Sequence, residues 1–199
     1  MVITEHRPRV KPYTAPADQL PTTVRELFDA LPPLPGLRVE VIEGTLRVSP
    51  MGKPKHQAIA WRLSRLFIPV IDREDWECYG GVNICIDGPR DTLVPDFALA
   101  PKDCPLWGDS ELRSTGVILA AEVVSPGSAH DDRVIKPDLY AAGGVPIYLL
   151  IDPLEGSVSV HYEIVDELYN KKALQPLGCT LPLPAPIDFD LDTSTLLMD

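Results

Sequence analysis

The hydrophobic pattern changes period several times along the 199 residues. "PTTVRELFDALPPLPG" (21–36) opens with Thr22 and Thr23, either of which can cap a short helix running to about Leu31. "LRVEVIEGTLRVSP" (37–50) then alternates on both sides of Glu43-Gly44, with Val39, Val41 and Val48 set against Arg38, Glu40 and Arg47. A period of two around such a pair predicts a β-hairpin with a tight turn. The period lengthens in "KPKHQAIAWRLSRLFIPVID" (53–72), where Ile59, Leu63, Leu66 and Phe67 fall on one face of a helix. "WECYGGVNICID" and "LVPDFALA" read as strands parted by the turn "GPRD", and Val117 to Val124 as a buried strand. "RVIKPDLYAAGG" (133–144) is a short helix closed by Gly143 and Gly144; "VPIYLLIDP" is a buried strand and "SVSVHYEI" an alternating one. Asp152, before Pro153, ends its strand and caps a turn. The proline-rich tail "LPLPAPIDFDLDTSTLLMD" permits only extended or edge-like structure. This order predicts an α/β fold: a mixed central sheet flanked by helices, with an N-terminal helix and β-hairpin. Residues 21–199 form one domain behind an N-terminal arm, residues 1–20, rich in proline and charge.

Composition narrows the setting. Hydrophobic residues make up 45%, enough for a core without disulfide or metal staples. No run approaches the roughly 18 apolar residues of a membrane span, and the N-terminus has no apolar leader, so a cytoplasmic protein is expected. The four cysteines form no CxxC pair and have no histidines at zinc spacing; Cys78 and Cys85 lie in apolar stretches and read as small buried residues. With 18 basic against 29 acidic residues the net charge is −11, which argues against a surface that coats polyanions at large. Local patches are a separate matter. Basic residues cluster at Arg7, Arg9 and Lys11 and again at Lys53, Lys55, Arg62 and Arg65, and each cluster alone reads as a solvated tail or helix face.

The chemistry centres on "AAEVVSP" (120–126), where Glu122 interrupts an apolar strand. A buried carboxylate costs several kcal/mol unless a basic partner, a proton or a metal ion compensates it. Asp96, after Pro95 at the head of another apolar strand, is a second acid of the same kind. Two carboxylates at neighbouring strand positions can share a divalent cation, and the Val123 carbonyl is a natural further ligand; hard oxygens suit magnesium, with manganese as substitute.

The stretch "AAEVVSPGSAHDDRVIKPDLYAAGGVPIYLLIDP", with "VEVIEGTL", "SPMGKPKHQAIAWRLSRLF" and "PDFALA" before it in order, resembles the Uma-two-type restriction endonucleases of the PD-(D/E)xK nuclease clan. The resemblance spans residues 25–163. It implies a restriction-endonuclease-like fold and metal-dependent hydrolysis of DNA phosphodiesters. Asp96 and Glu122 would hold the metal. The clan usually places a lysine two residues after the Glu; here that position is Val124, and the resemblance assigns the role to Lys136 in the helix, directly before Pro137. Proline restricts the residue before it, which places Lys136 at the start of that helix. Glu40 matches an acidic position near the same cleft, with Arg38 or Lys53 as alternative partners, and His56 matches the histidine opening the long helix. Tyr148 reads as core; His161 and Tyr162 receive no role. The resemblance also implies a homodimer, because a one-site nuclease needs two copies to cut both strands. The competing reading is a catalytically inactive binding or assembly module on the same fold, in which Asp96 and Glu122 are relics or pair with Lys136 as a buried salt bridge.

Overall fold

The computed structural model describes residues 20–197; the expected N-terminal arm lies outside the described residues except for Leu20. Helix α1 (Val24–Asp29) starts where Thr23 and Glu26 exchange capping bonds, each side chain satisfying the other's backbone N–H. β1 (Leu37–Ile42) and β2 (Thr45–Pro50) pair as the expected hairpin. Glu43 (φ 50) and Gly44 (φ 66) both adopt left-handed backbone, as the tight turn requires. The Asp91 carboxylate accepts both turn N–H groups, at 2.7 and 3.0 Å. The long helix of the sequence pattern is two helices, α2 (Pro54–Leu66) and α3 (Ile68–Glu74), meeting at Phe67. Pro69 explains the break, since it has no N–H to continue the helical ladder.

The chain continues through β3 (Trp76–Tyr79), β4 (Ile84–Cys85), β5 (Thr92–Leu93), β6 (Phe97–Pro101), β7 (Leu106–Trp107), β8 (Glu111–Arg113) and β9 (Leu119–Val123). Then come α4 (Lys136–Ala142), β10 (Ile147–Asp152), β11 (Ser157–Val165), β12 (Leu168–Pro176), β13 (Thr180–Leu183) and β14 (Phe189–Asp192). Where the pattern predicts one mixed sheet, the described residues form two six-stranded sheets and a two-stranded ribbon. The central sheet has the order β12-β11-β10-β9-β6-β3, and only β9 and β10 in it run parallel. The second sheet, β2-β1-β5-β4-β8-β7, contains strands of two or three residues, too short for any period to register. β13 and β14 are the paired form of the proline-rich tail.

Strand alternation sorts the central sheet into two cores. Phe97, Leu99, Leu119, Ala121, Val123, Leu149 and Ile151 face α2, α3 and the β13–β14 ribbon, meeting Ile59, Leu63, Phe67, Val70 and Leu181. Ala98, Ala100, Ala120, Val124, Tyr148 and Leu150 face the second sheet and α4, meeting Ile42, Ile84, Leu93 and Tyr140. Glu122 shares the parity of that second face, which puts its carboxylate between the sheets rather than in solvent. One cysteine differs from expectation. Cys85 is buried, but Cys78 is exposed, because β3 is the outermost strand of its sheet.

Candidate active site

Asp96 lies one residue before β6, where the backbone bends out of the ladder. Its N–H still donates to Ala121 O at 3.1 Å, while its own Oδ2 accepts the Val123 N–H at 2.9 Å. The side chain thus substitutes for a strand carbonyl at the end of β9 and fixes the carboxylate against the strand that carries Glu122. Two cations complete its shell: Arg38 Nη2 at 2.6 Å from Oδ1 and His56 Nε2 at 3.0 Å from Oδ2. Burial alone would push the Asp96 carboxyl up; the bonds from His56 and Arg38 outweigh it and bring it down to about 2. Reciprocally, Asp96 holds the His56 imidazolium above its ordinary range, with burial opposing and the Val123 backbone assisting.

Glu122 is 1% exposed, and its compensation is mainly a basic partner. Lys136 Nζ donates to Oε1 at 2.8 Å, and the Tyr140 hydroxyl reaches the same oxygen at 3.3 Å. The same ammonium lies 3.3 Å from Glu40 Oε1 and 3.2 Å from Asp132 Oδ1. Glu40 is further held by the Val94 N–H at 2.9 Å, and it pairs with neither Arg38 nor Lys53. One ammonium cannot compensate three buried carboxylates. Burial therefore drives Glu122 well above the usual carboxylate range, against Lys136, with Asp132, Asp96 and Glu40 adding to the rise. Asp132 is raised for the same first reason. For Lys136 the balance reverses: burial would lower it, but Glu122, Glu40 and Asp132 raise it, so it is charged at neutral pH.

Lys136 is the first residue of α4, as Pro137 leads one to expect, but a π turn runs into it without a break. Lys136 sits inside a continuous helical segment, in right-handed helical geometry (φ −63, ψ −37), despite the proline that follows. Residues Asp131–Ile135 form a π turn, and the Lys136 N–H bonds to Asp131 O, five residues back. That wider turn leaves Asp132 O with no helical donor, because Pro137 has no N–H. The Tyr148 hydroxyl supplies one at 2.6 Å. Tyr148 is a core residue, as expected, and also the donor that completes this turn. Asp152, likewise as expected, accepts the Leu154 and Glu155 N–H groups and ends its strand in a turn.

All five predicted side chains, Glu40, His56, Asp96, Glu122 and Lys136, therefore converge on one place, beside the Val123 backbone. Sequence reasoning missed Arg38, Asp132 and Tyr140. Arg38 is two residues from Glu40, hence on the same strand face, and Asp132 and Tyr140 each lie four residues from Lys136 on the helix; those spacings were the available signal. Among the described residues, no three His, Cys, Asp or Glu side chains are grouped as ligands of one ion. A divalent cation here would rest on two carboxylates, a backbone carbonyl and water, a sparse protein set of the kind magnesium accepts. The excess of acid over base that raises Glu122 and Asp132 suits such an ion.

Two packed mixed sheets with acids at the strand ends define a restriction-endonuclease-like fold. A crystal structure from Anabaena variabilis, described as "a putative nuclease belonging to DUF820", matches with a TM-score of 0.69 over 88% of this chain and 97% of that one, at 19% identity. The chain belongs to the Uma2 family, described as "putative restriction endonuclease", whose model matches residues 25–194. No curated protein matches it. Among the described residues no helix is long and apolar enough to cross a membrane.

Proposed function

We propose that the protein is a divalent-metal-dependent endonuclease that hydrolyses DNA phosphodiester bonds at the Asp96–Glu122–Lys136 cluster. The observation that carries this reading is the convergence of Glu40, Asp96, Glu122 and Lys136, from separate elements, on one buried point. Membership in the family supports the reaction class. Magnesium, or manganese in its place, would be held by Asp96, Glu122 and the Val123 carbonyl, supplying a more acidic water and charge stabilisation on the phosphoryl oxygens. Arg38 and His56 keep Asp96 ionised and oriented. Lys136 is charged, so it acts as a fixed cation that orients the attacking water and stabilises developing negative charge, rather than as a base. Cutting both strands calls for a homodimer.

The buried Glu122–Lys136 pair at 2.8 Å favours the second reading, an inactive module in which the acids serve structure only. Plasmid nicking separates the two. The nuclease reading predicts magnesium- or manganese-dependent cutting by wild type and none by Glu122→Gln. Absence of cutting of DNA or RNA with any divalent metal would leave the structural reading.

A further inference from the structure

Between Glu43 and Asp72 the chain contains no Asp or Glu, yet it carries Arg47, Lys53, Lys55, Arg62 and Arg65. In a chain of net charge −11 this is a local reversal of sign. The reversal falls on β2, the loop after it and α2, and α2 is the helix whose His56 meets Asp96 at 3.0 Å. The basic strip therefore begins at the active-site cluster.

Its side chains are differently employed. Arg62 is tied down, donating to Thr195 O at 2.9 Å and Leu197 O at 2.8 Å. Arg47, Lys53 and Arg65 are exposed. On α2, Ile59 and Leu63 fill the core, while Trp61 and Arg65, one turn apart, occupy the opposite side. Trp61 is 66% exposed, a large indole that contributes little to the fold. An outward aromatic among cations is the composition of a stacking platform for bases beside a phosphate track. The first turn of α2 has no side-chain cap and no acidic residue, so its backbone N–H groups favour an anion.

We infer that β2 and the outer face of α2, from Arg47 through Lys53 and Trp61 to Arg65, are the track along which a nucleic-acid strand enters the Asp96–Glu122 site. The inference rests on the nuclease reading and adds the path of the substrate. At 1.5 Å per residue the 13 residues of α2 extend about 20 Å, roughly six phosphate steps of 3.4 Å. Repulsion from the acidic remainder of the chain disfavours other approaches.

The test is fluorescence anisotropy with a labelled single strand and a labelled duplex, in EDTA to prevent cutting, across a potassium chloride series. The triple variant Arg47→Glu, Lys53→Glu, Arg65→Glu is compared with wild type and with a control carrying the same number of reversals, Lys102→Glu, Lys171→Glu, Lys172→Glu, at exposed lysines elsewhere. Each lost phosphate contact lowers the slope of log affinity against log salt by about 0.7 for a single strand and 0.9 for a duplex. The track variant should therefore lose about 2 to 3 in slope, while the control keeps the wild-type slope. Trp61→Ala should weaken single-strand binding about fivefold or more, with a smaller effect on duplex. A track variant that binds like wild type, with the same slope, overturns the track but leaves the nuclease reading standing if wild type cuts DNA. Wild type that binds neither strand form at low salt overturns the track; if it also cuts neither with magnesium or manganese, the nuclease reading falls with it and an acidic protein surface becomes the better occupant.

Discussion

Replacing Lys136 by methionine keeps the unbranched stem, one atom shorter, and removes the charge. In the wild type this ammonium is 3% exposed and lies 2.8 Å from Glu122, 3.2 Å from Asp132 and 3.3 Å from Glu40. Without it, three buried carboxylates have lost their shared cation. Removing one partner of a buried pair costs about 3–5 kcal/mol. For a domain of this size that corresponds to a fall in Tm of roughly 6–20 °C. The loss should depend on pH with a definite sign. Glu122 in the folded protein binds its proton more tightly than the roughly 4.3 of an unfolded chain, so stability falls as pH rises from that value through the folded one. Removing Lys136 raises Glu122 further and extends that fall to higher pH. Urea unfolding at pH 5 and pH 7.5 should show Lys136→Met nearer to wild type at the lower pH. Adding Glu122→Gln to Lys136→Met should recover part of the loss at pH 7.5, because one uncompensated charge is gone. A Lys136→Met protein within about 1 kcal/mol of wild type at pH 7.5, below the cost expected for a broken buried pair, would refute the reasoning.

Asp96 gives the opposite pH sign. Its folded value of about 2 lies below its ordinary 3.8, so its contribution is present above the ordinary value and is lost as pH falls through about 2. Asp96→Asn should cost about 2 kcal/mol near neutrality, with the gap to wild type closing at low pH in urea titrations. Calorimetric titration with manganese should show binding to wild type and none to Glu122→Gln; equal binding would remove Glu122 from the metal site. Light scattering at micromolar concentration should give about twice the 21.9 kDa chain mass, and a monomer mass would rule out the homodimer.

The parts readable from the sequence were those with a local signal. The 37–50 hairpin declared itself through alternation and a turn pair whose two residues take positive φ. Glu122 stood out because an acid in an apolar strand demands a partner, and the partner is Lys136, fourteen residues on. What could not be read depends on the way distant segments pack. The second sheet is assembled from pairs such as Ile84–Leu93 and Ile84–Leu112, which no short window contains. Arg38 joins Asp96 across 58 residues, so its role emerges only when β1 packs beside the head of β6. The π turn was hidden because Pro137 argues for a helix start, whereas Tyr148 supplies the missing donor from β10. β12 escaped notice because Lys171 and Lys172 interrupt its alternation at an exposed edge.

The central proposal is that Lys136, reaching Glu122 from the helix, performs the task that the strand position held by Val124 leaves undone. Single-turnover cleavage of a labelled DNA by wild type and Lys136→Ala, with manganese binding measured on the same samples, tests it. The predicted result is retained metal binding with the cleavage rate lowered about a hundredfold or more, the scale on which a fixed electrostatic contact acts in a transition state. The variant Val124→Lys with Lys136→Ala should restore part of that rate. Cleavage by Lys136→Ala at the wild-type rate would remove the lysine from the mechanism.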